Sequence, residues 1–161
     1  MAQDPRPVKG ERPKAPPRGG KPPGRFGHIY AALDLGTNNC RLLVARADAK
    51  GFKVLDAFSR TVRLGEGLTK TGELSAAAVE RAIDAIQICA QKMKRRGVTK
   101  HRAIATEACR TAKNGPDFIA RVAKETGITF DIIPPVEEAR LAARSVAPLL
   151  DRGHKAALVF D

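Results

Sequence analysis

Short apolar or alternating runs come first along the folded part of the chain, and they predict three strands. The runs cover 29–35, 42–47 and 52–62. Alternation of apolar and polar residues is typical of a strand with one buried face. Because only short connections separate these runs, they are predicted to pair as an antiparallel meander. Positions 63–75, rich in glycine and polar residues, are predicted to form a loop.

Apolar residues spaced three and four positions apart predict a long amphipathic helix after this loop. Ser75 is a favourable N-cap for the helix, and Gly97 is a natural stop. Its last turn holds four basic residues that complement the helix dipole, which explains them without a ligand. These are Lys92, Lys94, Arg95 and Arg96. The predicted apolar face consists of Val79, Ile83, Ile86, Ala90 and Met93.

The rest of the chain alternates between predicted strands and helices. Strands are predicted at 102–105 and 130–133, and helices at 116–126 and 136–147. An apolar run at 156–161 predicts one more strand. The order is βββαβαβα plus a final strand, which indicates an α/β fold with a mixed five-stranded sheet and helices on both faces.

Composition narrows the class of protein. The chain has 161 residues, of which 43% are hydrophobic and 29% charged, as in ordinary globular domains. It has no apolar run of roughly 18 residues and no signal-peptide pattern, so neither membrane insertion nor secretion is expected. The three cysteines are an odd number without a CxxC motif, which favours reduced thiols and a cytoplasmic location.

Positive charge is the least ordinary property of the composition, with a net charge of +12. Residues 1–28 carry seven Lys or Arg against Asp4 and Glu11 and hold seven of the eleven prolines, so they are predicted to be a disordered tail. A basic tail on a basic body favours polyanionic partners. Specific nucleic-acid binding is not expected, because the tail has a single aromatic residue, Phe26, and no groove-reading motif.

Hydrogen-bond donors are concentrated in the connection between the first two strands, within LDLGTNNCRLL at 33–43. Gly36 permits a ligand to approach the backbone closely, and Asp34 closes the first strand, where a carboxylate can hold a hydrated cation. From the residues alone, a plain hairpin with an exposed arginine stays an alternative to an anion-binding loop. The donors that could bind phosphate oxygens are Thr37, Asn38, Asn39 and Arg41.

This stretch resembles the first phosphate loop of the actin, sugar-kinase and heat-shock-chaperone superfamily. Asn38 and Arg41 resemble one branch of it, the exopolyphosphatase and guanosine pentaphosphate phosphatase (Ppx/GppA) family, whose loop reads D-x-G-S-N-S-x-R. Thr37 and Asn39 stand in the places of the two serines, and both keep a hydrogen-bonding group.

Four further stretches resemble the same family in order and spacing. They are RLGEGL at 63–68, ATEACRTAKN at 105–114, the EEAR segment within 132–142, and AALVFD at 156–161. Each motif is weak by itself, but five in sequence indicate the family.

The resemblance implies a ribonuclease H-like (actin-like ATPase) lobe over 29–155. The segment 156–161 would then be the first strand of a truncated second lobe. In the family a second, glycine-rich phosphate loop follows the position of Asp161, so the 161-residue chain is expected to be a fragment with little or no activity alone.

The resemblance also implies roles for individual residues. Glu138, rather than Glu137, would activate water, and Arg110 would contact the transferring phosphate. Asp34 and Asp161 would help to hold a divalent cation, Mg²⁺. The first phosphate loop would consist of Gly36, Thr37, Asn38, Asn39 and Arg41.

The expected function is that of an exopolyphosphatase, which releases terminal phosphate from inorganic polyphosphate. Two alternatives stay open: a guanosine pentaphosphate (pppGpp) 5'-phosphatase, and a non-catalytic module that binds polyanions. An ATP-dependent kinase of the wider superfamily is disfavoured by Asn38, Arg41 and the EEAR segment. The full-length form is expected to be a homodimer, without a membrane partner.

Overall fold

The computed structural model describes residues 27–49 and 51–147, and its elements follow the predicted order. Most of the predicted basic tail lies outside the described residues, as do the predicted strand at 156–161 and Asp161. The strands are β1 (Ile29–Leu35), β2 (Asn39–Asp48), β3 (Gly51–Thr61), β4 (Lys100–Ala105) and β5 (Asp131–Ile132). The helices are α1 (Leu68–Thr71), α2 (Ala76–Arg95), α3 (Glu107–Thr111), α4 (Gly115–Thr126) and α5 (Pro135–Val146).

The five strands form one mixed sheet in the order β3-β2-β1-β4-β5. β1, β2 and β3 pair antiparallel, which confirms the predicted meander. β4 pairs parallel to both β1 and β5, so the carboxyl ends of these three strands point in one direction. The predicted α/β architecture with a mixed sheet is therefore confirmed.

Most element boundaries differ from the predicted ones by one or two residues, and the start of β2 differs by three. β2 begins at Asn39 instead of 42, because Cys40 is fully buried and continues the inward-facing series of the strand. The connection after β1 therefore has only three residues, 36–38, and Arg41 is a strand residue. The short helix α1 lies in the segment predicted to be a loop, and α3 lies where no element was predicted, since about one turn of helix has no periodic pattern to detect.

One face of the sheet packs against α2, which in turn packs against α4. The side chain of Ser75 accepts a hydrogen bond from the Ala78 amide at 3.3 Å, so the predicted N-cap is confirmed. The predicted apolar face of α2 is also confirmed, with only Ala90 partly exposed. Each Val, Ile or Met side chain buried there contributes about 1.5–3 kcal/mol. No helix of the described part of the chain is long and apolar enough to span a membrane.

The opposite face of the sheet is only partly covered. Leu43, Phe52 and Val54 are 38%, 65% and 50% exposed, and the strand register places all three on this face. α5 lies over its β1–β4 end, where Leu141 lines a cavity together with Ile104. Helices therefore lie on both faces of the sheet, as predicted.

The basic end of α2 is tied to the sheet by a carboxylate. Asp56 of β3 accepts hydrogen bonds from Lys92 at 3.0 Å and Arg96 at 3.0 Å, and Arg95 lies 3.5 Å away. The hydrogen bonds from Lys92 and Arg96 hold the pKa of Asp56 well below its usual range. The explanation of this cluster by the helix dipole alone was therefore incomplete, because the partner lies on another element.

Replacing Asp56 by Asn is expected to lower the free energy of unfolding at pH 7. The pKa of Asp56 in the folded protein lies below that in the unfolded chain, which is about 3.9. The difference in free energy of unfolding between wild type and Asp56→Asn is therefore fully present above about pH 5, and it shrinks as the pH falls below about 4. Urea denaturation at pH 7 and pH 3 measures this difference. The control is Asp84→Asn, which removes an exposed carboxylate of α2. An equal difference between wild type and Asp56→Asn at both pH values would contradict the ion-pair explanation.

Candidate functional site

A cavity of about 510 Å³ lies at the carboxyl ends of β1 and β4. Ligands of open α/β sheets commonly bind at such ends, since loops from neighbouring strands meet there. Its wall is formed by the end of β1, the start of β2, the residue after β4, and one side of α5. The lining residues are Asp34, Gly36, Thr37, Asn38, Asn39, Arg41, Ile104, Thr106, Glu138, Leu141, Ala142 and Ser145.

Most of the residues predicted from the sequence for this site meet in the cavity. The whole predicted phosphate loop lines it, together with Asp34, and so does Glu138, which is about a hundred positions further along the chain. Arg110 is not among the lining residues, and Asp161 lies outside the described part of the chain. The catalytic, phosphate-binding and metal roles of these residues stay predictions.

The three-residue connection 36–38 is held in shape by its backbone. The Gly36 amide donates to the Asn39 carbonyl oxygen at 2.9 Å. The carbonyl oxygens of Thr37 and Asn38 accept hydrogen bonds from the segment after β3. A trans peptide points its N–H away from its C=O, so the Asn38 amide faces away from that segment. These two carbonyl oxygens, which would repel an anion, are thus directed to the segment after β3.

Strand alternation places the charged residues of β1 and β2 together. Asp34 pairs with Arg41 across the β1–β2 ladder and with Ile104 across the β1–β4 ladder, so all three share the partly covered face. Arg41 is exposed and lines the cavity. The Asn39 side-chain oxygen accepts from Thr61 at 3.1 Å, which ties this residue to β3 and leaves its NH₂ group as the donor.

The two acids of the EEAR segment have different surroundings. Glu137 binds Arg140 of the same helix at 2.7 and 2.8 Å and lies 3.5 Å from Arg102 of β4. The Arg140 guanidinium lowers the pKa of Glu137 below its usual range, with a smaller effect from Arg102. Glu138, in contrast, lines the cavity. Of the two acids, Glu138 is therefore the one that a ligand in the cavity could reach, and its catalytic role stays a prediction.

Arg110 lies behind the cavity, next to Glu138. Its guanidinium donates to the Ile133 carbonyl oxygen at 2.6 Å and lies 3.5 Å from the Glu138 carboxylate. The arginine thus links α3 to the chain just before α5. In this arrangement it can hold the Glu138 carboxylate in place.

Several lining residues were missed by the sequence reasoning. Thr106 is a buried polar residue, 6% exposed, that directly follows β4. On α5, Leu141, Ala142 and Ser145 follow Glu138 at steps of three, four and seven residues, so they share one side of the helix. This helical spacing from Glu138 could have predicted the three residues from the sequence. It identifies the side of α5 that faces the predicted phosphate loop.

Oxygen ligands dominate the polar part of the cavity and suit a hard cation. The described residues contain no group of three or more His, Cys, Asp or Glu that could hold a metal by themselves. Mg²⁺ commonly uses one or two carboxylates and completes its shell with water and substrate phosphate oxygens. Asp34, with the hydroxyl groups of Thr37 and Thr106 nearby in the cavity wall, fits this manner of binding.

Known proteins resemble this chain in sequence and in fold. The sequence model of the Ppx/GppA phosphatase family matches residues 43–161. A guanosine-5'-triphosphate,3'-diphosphate pyrophosphatase of Photobacterium profundum is 35% identical over 119 residues, covering 74% of this chain and 24% of the relative. A Ppx/GppA family member of Aquifex aeolicus has a TM-score of 0.71 at 30% identity, covering 74% of this chain and 39% of its own. An exopolyphosphatase of Cytophaga hutchinsonii has a TM-score of 0.71 at 29% identity, and the match covers 74% of this chain and 38% of that protein.

The chain spans about a quarter of the curated relative and about two fifths of these solved structures. Together with the mixed sheet, the structural likeness confirms that the predicted α/β fold is the one that solved Ppx/GppA family structures share over this part of the chain. The family match begins at Leu43 and so does not include the connection 36–38.

Proposed function

Because this chain belongs to the Ppx/GppA phosphatase family, we propose that its cavity binds the terminal phosphoryl group of inorganic polyphosphate for hydrolysis. The observation that supports this most directly is the meeting of the phosphate loop with Glu138 in one cavity. A donor-rich loop and a carboxylate on opposite walls are what an attack by water on a bound phosphoryl group requires.

The proposed chemistry assigns one task to each wall of the cavity. Glu138 accepts a proton from the attacking water, and Arg110 holds its carboxylate in position. Arg41 and the Asn38 amide bind the phosphoryl oxygens, where negative charge is spread in the transition state. Mg²⁺ held by Asp34 and, as the family resemblance implies, by Asp161 would neutralise phosphate charge.

A pppGpp 5'-phosphatase is the second candidate. It is favoured by the name of the Photobacterium profundum relative and by the apolar part of the wall, where Ile104, Leu141 and Ala142 could contact a nucleoside. A non-catalytic polyanion-binding module is the third, since the net charge of +12 also suits that role.

Phosphate release with three substrates tests the proposal. Tripolyphosphate, long-chain polyphosphate and pppGpp are each incubated with Mg²⁺ or with EDTA, and binding is measured by calorimetry in parallel. An exopolyphosphatase releases phosphate from the two inorganic substrates faster than from pppGpp. Binding of all three with turnover of none, even in a chimera that carries the rest of the Photobacterium profundum relative, would instead support the binding module.

The chain by itself is proposed to turn over slowly. It spans about a quarter of its curated relative, and positioned donors on both sides of a phosphate are needed to stabilise the transition state.

The full-length form is proposed to be a homodimer. Its location is proposed to be the cytoplasm, where free buried thiols such as those of Cys40, Cys89 and Cys109 stay reduced.

A further inference from the structure

The RLGEGL motif lies directly against the phosphate loop. Val62 and Arg63 both donate their amides to the Asn38 carbonyl oxygen, at 2.8 and 3.0 Å, and the Gly65 amide donates to the Thr37 carbonyl oxygen at 3.0 Å. Three hydrogen bonds thus reach two consecutive peptide units of the loop. The position of the 62–66 segment therefore decides where the loop can be.

The contact between the two segments is close and strained. A Cβ atom at position 65 would overlap the side-chain methyl of Thr37, so any other residue there would force the Thr37 side chain to move. Arg63 has a φ of 47°, a left-handed conformation that a non-glycine residue rarely adopts. Such a conformation persists only where surrounding contacts hold it. The 62–66 segment therefore needs an anchor on its other side.

Arg81 of α2 supplies that anchor. Its Nε donates to the Val62 carbonyl oxygen at 2.9 Å, and one terminal nitrogen lies 3.4 Å from the Arg63 carbonyl oxygen and 2.7 Å from the Glu66 carboxylate. The planar guanidinium reaches all three acceptors at once, which the single ammonium group of a lysine does less well. Arg81 does not line the cavity.

We infer that Arg81 is a positioning residue for phosphate binding: it fixes the 62–66 segment, which in turn fixes the peptide units of Thr37 and Asn38. The inference rests on the proposed phosphate-binding function of the cavity. α2 is the longest of the described helices and is packed into the core along most of its length, so Arg81 connects the loop to a well-anchored element. The RLGEGL motif therefore links α2 to the phosphate loop, so that the position of the helix determines the position of the loop.

Arg81→Met in the 161-residue chain tests the inference, because Met keeps an unbranched stem and removes the donors. Arg121→Met is the matched control, since Arg121 also has three side-chain hydrogen bonds, to Glu80 and Glu125, without contact to the 62–66 segment. Calorimetry measures the Kd for tripolyphosphate, and thermal denaturation measures the Tm. Arg81→Met is expected to weaken binding about tenfold, and Arg121→Met by less than twofold, with similar losses in Tm. Equal Kd values for the two variants would overturn the inference.

Amide hydrogen exchange separates this inference from the proposed function. In Arg81→Met the amides of Arg63 and Gly65 are expected to exchange at least tenfold faster, because their hydrogen bonds to the loop loosen. Failure of wild type to bind tripolyphosphate would refute the proposed function, and unchanged exchange at both amides would refute the inference by itself. Arg81→Lys, which keeps the charge beside Glu66, serves if Arg81→Met does not fold. It is expected to give intermediate exchange rates, and rates equal to those of wild type would also count against the inference.

Discussion

Replacing Glu138 by Gln is expected to lower phosphate release by at least about a hundredfold, the range in which a general base contributes. The amide cannot accept a proton from water, but it has nearly the same shape as the carboxylate. Binding of tripolyphosphate is expected to stay equal or to become tighter, because one negative charge leaves the cavity wall. The separation of turnover from binding is the characteristic result for a base.

The measurement uses the chain and a chimera in which the rest of the protein comes from the Photobacterium profundum relative. Glu137→Gln is the control, since the neighbouring acid binds Arg140 and Arg102 instead of lining the cavity. That variant is expected to keep its rate within a few fold. Equal rate losses in the two variants would show that Glu138 acts through the structure of α5 and is not the base.

Replacing Gly115 by Ala is expected to lower the free energy of unfolding by about 3 kcal/mol, at the upper end for overpacking. A Cβ atom at this position would overlap the Cys109 carbonyl oxygen. The carbonyl oxygen belongs to the backbone and the backbone fixes the position of the Cβ atom, so neither can move aside as the end of a flexible side chain would. α3 and α4 would have to separate, and Arg110, which α3 carries, would shift away from Glu138.

Urea denaturation measures this loss, and Gly127→Ala is its control. Gly127 has a φ of 72° and no atom within 4 Å of the added Cβ, so its replacement strains only the local backbone, at a cost of about 1 kcal/mol. A Gly115→Ala variant no less stable than Gly127→Ala would show that α3 and α4 are not packed as described. Arg110 would then not be held in its position by this contact.

Local patterns were sufficient for most of the secondary structure. β1 agrees with its predicted bounds, and the predicted N-cap, apolar face and stop of α2 all agree with the structure. These features depend on the period of a strand or helix and on capping chemistry, which act over only a few residues. The start of β2 was missed because Asn39 and Arg41 are polar, although they alternate with the buried Cys40 as strand residues do.

The candidate site was predictable only in part. The donor-rich connection at 36–38 and the EEAR segment could be found as motifs, but the cavity that joins them depends on where β4 and α5 lie. The role predicted for Arg110 in phosphate binding stays a prediction, and the motif gave no sign that its guanidinium would bind the Ile133 carbonyl oxygen and lie beside Glu138. A motif specifies which residue carries a charge, and only its neighbours decide what that charge contacts.

The contacts that shape the site join residues far apart in the sequence. Asp56 meets the basic end of α2, and Arg81 meets the carbonyl oxygens that follow β3. No local period encodes these pairs, because they follow from the packing of α2 against β2 and β3. The strands, the long helix and the chemistry of the phosphate loop are thus properties of short stretches of sequence. The position of that loop opposite Glu138 results from long-range packing.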